Sequence, residues 1–255
     1  MDRLEIEKWK QKVEDELGVE IKEKERFPLQ EEIPAQEEKL VGFLAQCIDH
    51  TLLRAYATRE EIEKLCQEAK EWNFRGVIVN PFYVSLCHRL LEGANPIVEV
   101  VVGFPLGQSK PEVKAREARE AFQDGAKEAD MVINIGALKD SEWRLVYEDI
   151  LGVVEEMFPG LVKVILENCY LTEEEKVVGC LISQAAGAQF VKTSTGFGIG
   201  GATGEDVKLM RQVVGGSMGI KAAGGIRSRE DVLRMIQAGA NRIGTSSGVS
   251  IVSGN

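Results

Sequence analysis

The sequence predicts a (β/α)8 barrel, the TIM-barrel fold, carrying an N-terminal helical extension. Three observations predict it. Eight short apolar runs recur, at 43–49, 76–80, 97–104, 129–134, 162–167, 190–195, 219–223 and 242–246. Amphipathic helical patterns fit between them, at 59–73, 82–92, 111–124, 142–157, 173–186, 203–214 and 229–238. Three of these units end on Gly-Ala (Gly125-Ala126, Gly187-Ala188, Gly239-Ala240), a helix stop directly before the next strand. Strands alternating with helices at this spacing imply parallel pairing through right-handed crossovers. A doubly wound open sheet is the competing arrangement, and eight units in about 210 residues favour the closed one.

Taken in order, the elements have local reasons to form. Residues 1–42 read as an extension and linker, and 43–255 as the barrel. Ile6, Trp9, Val13 and Leu17 recur at helical spacing over 2–17, with charges between them. A charged stretch from Lys22 to Lys39, with Pro28 and Pro34, reads as a linker. Within the repeating region, Thr58 precedes Arg59-Glu60-Glu61, Thr172 precedes three glutamates, and Ser228 precedes Glu230 and Asp231. Each is a helix-entry signal. An eighth helix must be short or missing, because only Gly248 to Asn255 remain.

The formal charge of −10 argues against general binding to nucleic acid or anionic membranes, though not against a small anionic substrate held by a few local donors. Five cysteines form no Cys-x-x-Cys pair, as expected of reduced, mostly buried thiols. A charged N-terminus and the lack of any long apolar run suggest a cytoplasmic protein with no signal peptide or membrane span.

Functional side chains of such a barrel point inward near the C-terminal ends of its strands. Lys192 sits near one such end, followed by Thr193-Ser194-Thr195-Gly196. A lone strand lysine can simply snorkel outward or pair with a carboxylate. Lys192, however, is matched by Lys221 at the equivalent position on the next strand. Two inward amines about 5.5 Å apart repel by about 3 kcal/mol at an effective dielectric near 20, roughly 2 pKa units. Desolvation lowers a lysine further, so one of the two gains a neutral, nucleophilic fraction near pH 7. Asp130 faces inward on the Ala129–Asn134 strand, and needs either a cationic partner or a proton-transfer role.

The ends of the last strands suit an anion. Gly224 and Gly225 follow strand 7, and Gly244, Ser246 and Ser247 follow strand 8, where barrels commonly bind phosphate. Glycines let backbone N–H groups approach the oxygens, and the serines add hydroxyl donors. Gly196 closes the ring from strand 6, and Arg227 either adds charge-assisted bonds or stands at the surface. Asp49 and Glu167 are expected at strand ends, near sugar hydroxyls or in structural roles. Gly196-Phe-Gly-Ile-Gly-Gly201 matches the dinucleotide fingerprint literally, but no acidic residue lies between Val207 and Arg229. A flexible loop over the substrate is the better reading of that segment.

Several of these segments together resemble the deoxyribose-phosphate aldolase family: Phe190-Val-Lys-Thr-Ser-Thr-Gly-Phe197, Lys221-Ala-Ala-Gly-Gly-Ile-Arg227 and Ala129-Asp-Met-Val-Ile-Asn-Ile-Gly-Ala-Leu138. So do Ile48-Asp-His-Thr-Leu-Leu53, Val79-Asn-Pro81, Val102-Gly-Phe-Pro-Leu-Gly107 and Ile243-Gly-Thr-Ser-Ser247. The resemblance spans about residues 43–252 in order. It implies reversible cleavage of 2-deoxy-D-ribose 5-phosphate into acetaldehyde and D-glyceraldehyde 3-phosphate. It further implies an imine on Lys192, a pKa-perturbing Lys221, a proton-shuttling Asp130, and Thr195 with the glycines and serines around the phosphate. Phe197 departs from relatives that carry lysine there, which removes a cationic contact, and Ile78 stands where some relatives have cysteine. With only His50 and His88, far apart, neither a metal nor any other cofactor is expected. The expected partners are a phosphorylated sugar, a short aldehyde and further copies of the chain in a homodimer or larger assembly. A non-catalytic sugar-phosphate binder and a phosphosugar isomerase are the rival functions.

Overall fold

The computed structural model describes residues 1–23, 27 and 32–254. Helix α1 (Arg3–Leu17) and helix α2 (Glu37–Cys47) precede the first strand, β1 (Ile48–Leu52). Then follow α3 (Arg59–Trp72), β2 (Gly76–Val79), α4 (Val84–Leu90), β3 (Ile97–Val102), α5 (Pro111–Gln123) and β4 (Glu128–Val132). A short helix α6 (Ile135–Lys139) leads into α7 (Trp143–Met157), β5 (Leu161–Ile165) and α8 (Glu173–Ala185). The chain ends with β6 (Phe190–Lys192), α9 (Gly204–Val214), β7 (Gly219–Ala223), α10 (Arg229–Ala238), β8 (Arg242–Thr245) and α11 (Gly248–Ser253). All eight strands are parallel and in sequence order, and β1 pairs with β8 to close the barrel.

The expected helix entries act as caps. Thr58, Thr172 and Ser228 each accept from the third helical amide, and Glu61, Glu175 and Asp231 complete the reciprocal box. Asp2 and Glu5 do the same for α1. Gly125 takes φ +109°, and a Cβ there would stand 2.4 Å from the His88 ring, so only glycine ends that turn.

The first strand corrects the sequence reading. Residues 43–49 were expected to be strand, but α2 runs through Cys47 and β1 begins at Ile48. Leu40, Phe43, Leu44 and Cys47 recur at helical spacing, and the compact run of apolar residues conceals that period. The expected linker from Lys22 to Lys39 therefore gives way to helix at Glu37. Residues 24–26 and 28–31, including Pro28, lie outside the described residues. Asn134 lies beyond β4, where its side chain caps α6. The eighth helix is present and short.

Strand residues alternate between two environments. Val77, Val100, Met131, Val164, Val191, Ile220 and Ile243 belong to the main apolar core that also takes in the helices. The alternate positions hold Glu99, Val101, Glu128, Asp130, Lys163, Lys192, Lys221 and Arg242, with Leu53, Ile78, Val101 and Phe104 packed in a separate small cluster. The period of two that sends one set to the helices thus sends charge to the barrel axis. Helix α1 packs outside, on α7 and α8, with Trp9 set edge-on to Trp143 at 6.3 Å. The five cysteines form no disulfide among the described residues, and four of them are buried.

Candidate active site

Lys192 and Lys221 are direct Cα partners across β6 and β7. Their amines converge on one oxygen: each lies 2.8 Å from Asp130 Oδ2. Asp130 reaches them from β4, and its other oxygen receives Lys163 at 3.0 Å. Lys221 further contacts Asp49 at 2.5 Å and Glu99 at 3.0 Å. Lys163 bridges Glu99 at 2.9 Å and Glu128 at 2.5 Å. Arg242 joins Asp49, Glu99 (2.7 Å) and Glu128 (3.1 Å). Four cations and four carboxylates, none more than 5% exposed, thus fill the barrel axis. At the rim, Arg75 approaches Glu128 at 3.6 Å.

Burial of so many charges is tolerable only because each has several opposite partners. The same environment separates the two lysines. Burial pushes the Lys192 amine down, Asp130 pulls it back, and Lys221 and Lys163 push it down again, leaving it below the ordinary lysine range. Burial also pushes Lys221 down, but Asp130, Asp49 and Glu99 outweigh it, and its net shift is upward. Burial favours a neutral Asp130, but Lys163, Lys192 and Lys221 overcome it and hold the carboxyl well below its usual range. The result is a cationic Lys221 and an ionised Asp130 beside an amine that loses its proton more readily than free lysine.

Above this network opens a cleft of about 660 Å³ at the C-terminal ends of the strands. Lys192, Thr195, Gly196, Gly224, Gly225, Arg227, Gly244 and Ser246 line it. Asp130 and Lys221 lie beneath it, closing its floor through Lys192. Gly244 leaves room for the floor, since a Cβ there would stand 3.2 Å from Lys221 Cε. Gly196, Gly225 and Ser246 are exposed at three adjacent strand ends. Phe197 stands edge-on to Phe104 at 5.3 Å and forms an apolar side of the cleft where a lysine was noted as missing.

One expected position is corrected. Asp49 does not reach the cleft; it is fully buried under Lys221 and Arg242. The misplaced first strand explains this, because Asp49 is the second residue of β1 rather than its last. Ser247 precedes α11 beside the cleft-lining Ser246, and its amide donates to Thr245 Oγ1 at 3.0 Å. The Gly196–Gly201 segment is pinned at its far end, where Ala202 N–H donates to Gly224 O at 3.0 Å. Sequence reasoning missed Glu99, Glu128, Lys163 and Arg242, whose signal was charge at every second strand position. It also missed Arg54 and Lys64 on the cleft wall, where each is paired with a carboxylate, Glu61 at 2.8 Å and Glu68 at 3.7 Å. Among the described residues no group of His, Cys, Asp and Glu is arranged to hold a metal ion, and no helix is long and apolar enough to cross a membrane.

Comparison with known proteins agrees with this geometry. Residues 43–253 match the family model described as DeoC/LacD family aldolase. The deoxyribose-phosphate aldolase of Thermotoga petrophila is 56% identical over 221 residues, covering 87% of this chain and 89% of that protein. That of Thermococcus kodakarensis is 59% identical over 215 residues, covering 83% and 96%. Among solved structures, a putative deoxyribose-phosphate aldolase from Coccidioides immitis superposes with TM-score 0.85 at 40% identity, covering 98% of this chain and 97% of that one. A deoxyribose phosphate aldolase from Aeropyrum pernix, described as a unique tetramer, gives TM-score 0.78 at 33% identity, covering 96% and 95%. A closed parallel barrel, a buried lysine pair on one carboxylate and these relatives lead to one assignment: the chain belongs to the DeoC/LacD family of aldolases.

Proposed function

We propose that the protein reversibly cleaves 2-deoxy-D-ribose 5-phosphate into acetaldehyde and D-glyceraldehyde 3-phosphate through a Schiff base on Lys192. The observation that carries this reading is the pair of amines on one Asp130 oxygen, with only Lys192 reaching the cleft. The neutral Lys192 amine adds to the C1 carbonyl of the open-chain sugar, and loss of water leaves a protonated imine. That cation draws the C2–C3 bonding pair as the C3 hydroxyl gives up its proton, releasing glyceraldehyde phosphate and leaving an enamine. Protonation at C2 and hydrolysis then free acetaldehyde and restore the amine. Asp130, held ionised by three lysines, takes and returns these protons through a bridging water, while Lys221 stays charged and keeps Lys192 depressed.

At the far end of the cleft, Gly196, Gly225 and Ser246 offer backbone and hydroxyl donors to the phosphate, with Arg227 beside them. Residues 1–42 serve as an extension bracing the barrel of residues 43–255, and the chain works in the cytoplasm as a homo-oligomer. The tetramer described for the Aeropyrum pernix enzyme supports self-association.

Incubation with acetaldehyde, borohydride reduction and peptide mass spectrometry test the mechanism. A two-carbon adduct on Lys192 is expected. An unmodified Lys192 in a protein competent to bind the sugar phosphate would leave a binder or an isomerase as the better account.

A further inference from the structure

Glu167 is an outlier that the reaction as described does not use. It follows β5 in the left-handed region, at φ 56° and ψ 61°, although it is not glycine. It is 2% exposed. Its neighbours are held firmly on both sides: Leu166 N–H donates to Lys192 O and Asn168 N–H to Thr193 O, both at 2.9 Å. A side chain locked into a costly backbone conformation by its flanks marks a place where the fold over-determines a direction. Here that direction is toward the end of β6.

The carboxylate meets Thr195 there. Thr195 N–H lies 3.3 Å from each Glu167 oxygen, and the Thr195 hydroxyl donates to Oε2. The same hydroxyl oxygen accepts from Phe197 N–H at 3.0 Å. Cys169 Sγ stands 3.8 Å from Oε1. The loop beyond packs against this pair, since a Cβ on Gly198 would lie 3.1 Å from both Glu167 Cδ and Cys169 Sγ. The loop then returns to β7, where a Cβ on Gly201 would stand 2.3 Å from Gly224 O and Ala202 N–H bonds that same oxygen. Glu167, Thr195, Phe197, Gly201 and Gly224 thus form one continuous set of bonds and contacts along the cleft wall.

We infer that Glu167 is a positioning residue for substrate affinity, which fixes Thr195 and the Phe197–Ala202 loop so that the β6 and β7 ends present a preformed site for the substrate's phosphate. This rests on the reading that the cleft takes a phosphorylated sugar. Thr195 is recast by it. With its proton donated to Glu167 and its oxygen accepting from Phe197, its hydroxyl serves the wall rather than donating to the substrate. Glu167 acts at the phosphate end and leaves imine formation to the lysines.

The test compares KM and kcat for 2-deoxyribose 5-phosphate and for unphosphorylated 2-deoxyribose in Glu167→Ala, Thr195→Val and Thr195→Ser. Removing the carboxylate leaves the buried Thr195 donors unpaired, so KM for the phosphorylated sugar should rise about tenfold in Glu167→Ala. Thr195→Val should do the same by cutting the link to Phe197, and Thr195→Ser should restore wild-type values. In Glu167→Ala, KM for the unphosphorylated sugar and borohydride trapping of acetaldehyde on Lys192 should stay within about twofold. Wild-type KM for the phosphorylated sugar in both Glu167→Ala and Thr195→Val would overturn the inference, as would equal weakening toward both sugars. If Glu167→Ala does not fold, Thr195→Val with its serine rescue decides alone. A wild-type protein that shows no preference for the phosphorylated sugar would instead overturn the proposed substrate, and this inference with it.

Discussion

Lys192 and Lys221 sit opposite one another on adjacent strands and share a single oxygen of Asp130, each at 2.8 Å. Two cations on one oxygen lie roughly 5 Å apart, where their repulsion is about 3 kcal/mol at an effective dielectric near 20. Asp130 offsets that repulsion unequally, because Lys221 has two further carboxylates and Lys192 has none. The proton is therefore lost first from the amine that faces the cleft.

Lys221→Leu should lower kcat by about a hundredfold or more and move the acid limb of the kcat/KM profile up by about 1–2 pH units. The sign follows from two changes that act together. Loss of the Lys221 charge ends its repulsion, and it leaves Asp130 freer to stabilise protonated Lys192. A pH-rate profile of the variant checks this, and an unmoved acid limb would refute it.

Acid should unfold the protein through the same network. Asp130 ionises in the folded chain well below its unfolded value near 4, so its stabilisation is complete above about pH 4 and is lost as pH falls through the folded value. Glu99 and Glu128 are also held down against burial, by Lys163 with Lys221 and Arg242, and they act in the same direction. Lys163 is raised by Asp130, Glu128 and Glu99 despite burial, so its contribution persists below about pH 10 and fades only above it. Asp49 opposes them, because burial raises its carboxyl to about 6 and its contribution fades as pH rises from about 4 to that value. Thermal denaturation from pH 2 to 10 should show the steepest fall in Tm below about pH 4.

Arg242→Met should destabilise the fold by about 3–5 kcal/mol, because Asp49, Glu99 and Glu128 lose a shared cation where water cannot replace it. Adding Glu99→Gln should recover part of that loss, since the double variant removes one charge of each sign. Denaturant titration of the wild type, both single variants and the double variant measures the coupling, and simple additivity would argue against a shared network.

Removal of residues 1–17 should lower Tm by about 5 °C or more while leaving kcat within about twofold. Helix α1 packs on α7 and α8, where Val13 and Leu17 are buried and Arg144 donates to Leu17 O, and none of these contacts reaches the cleft. A large fall in kcat at a temperature where the truncated chain is folded would give the extension a catalytic role instead.

The parts legible in the sequence were those set by neighbours along the chain. Thr58, Thr172 and Ser228 announce helix starts because a cap needs only the next three residues. Lys192 and Lys221 are legible because both sit just before runs of small residues at strand ends. Lys163 was not, because its partner Glu99 is 64 residues away and two strands round the barrel. A glutamate in a strand looks like a surface residue until closure supplies partners from the opposite wall. Asp49 failed for a different reason: an error of a few residues in the first strand moved it from the interior to the mouth.

The balanced interior also bears on the covalent intermediate. With Lys192 charged, the buried axis holds four positive and four negative groups. Taking the proton from Lys192 to make a nucleophile leaves that axis one positive charge short. The protonated imine restores parity at the same atom, so the barrel returns to electroneutrality by acquiring the intermediate. The price of a reactive amine is repaid when the amine becomes an electron sink, and the field that destabilises one positive group also awaits another.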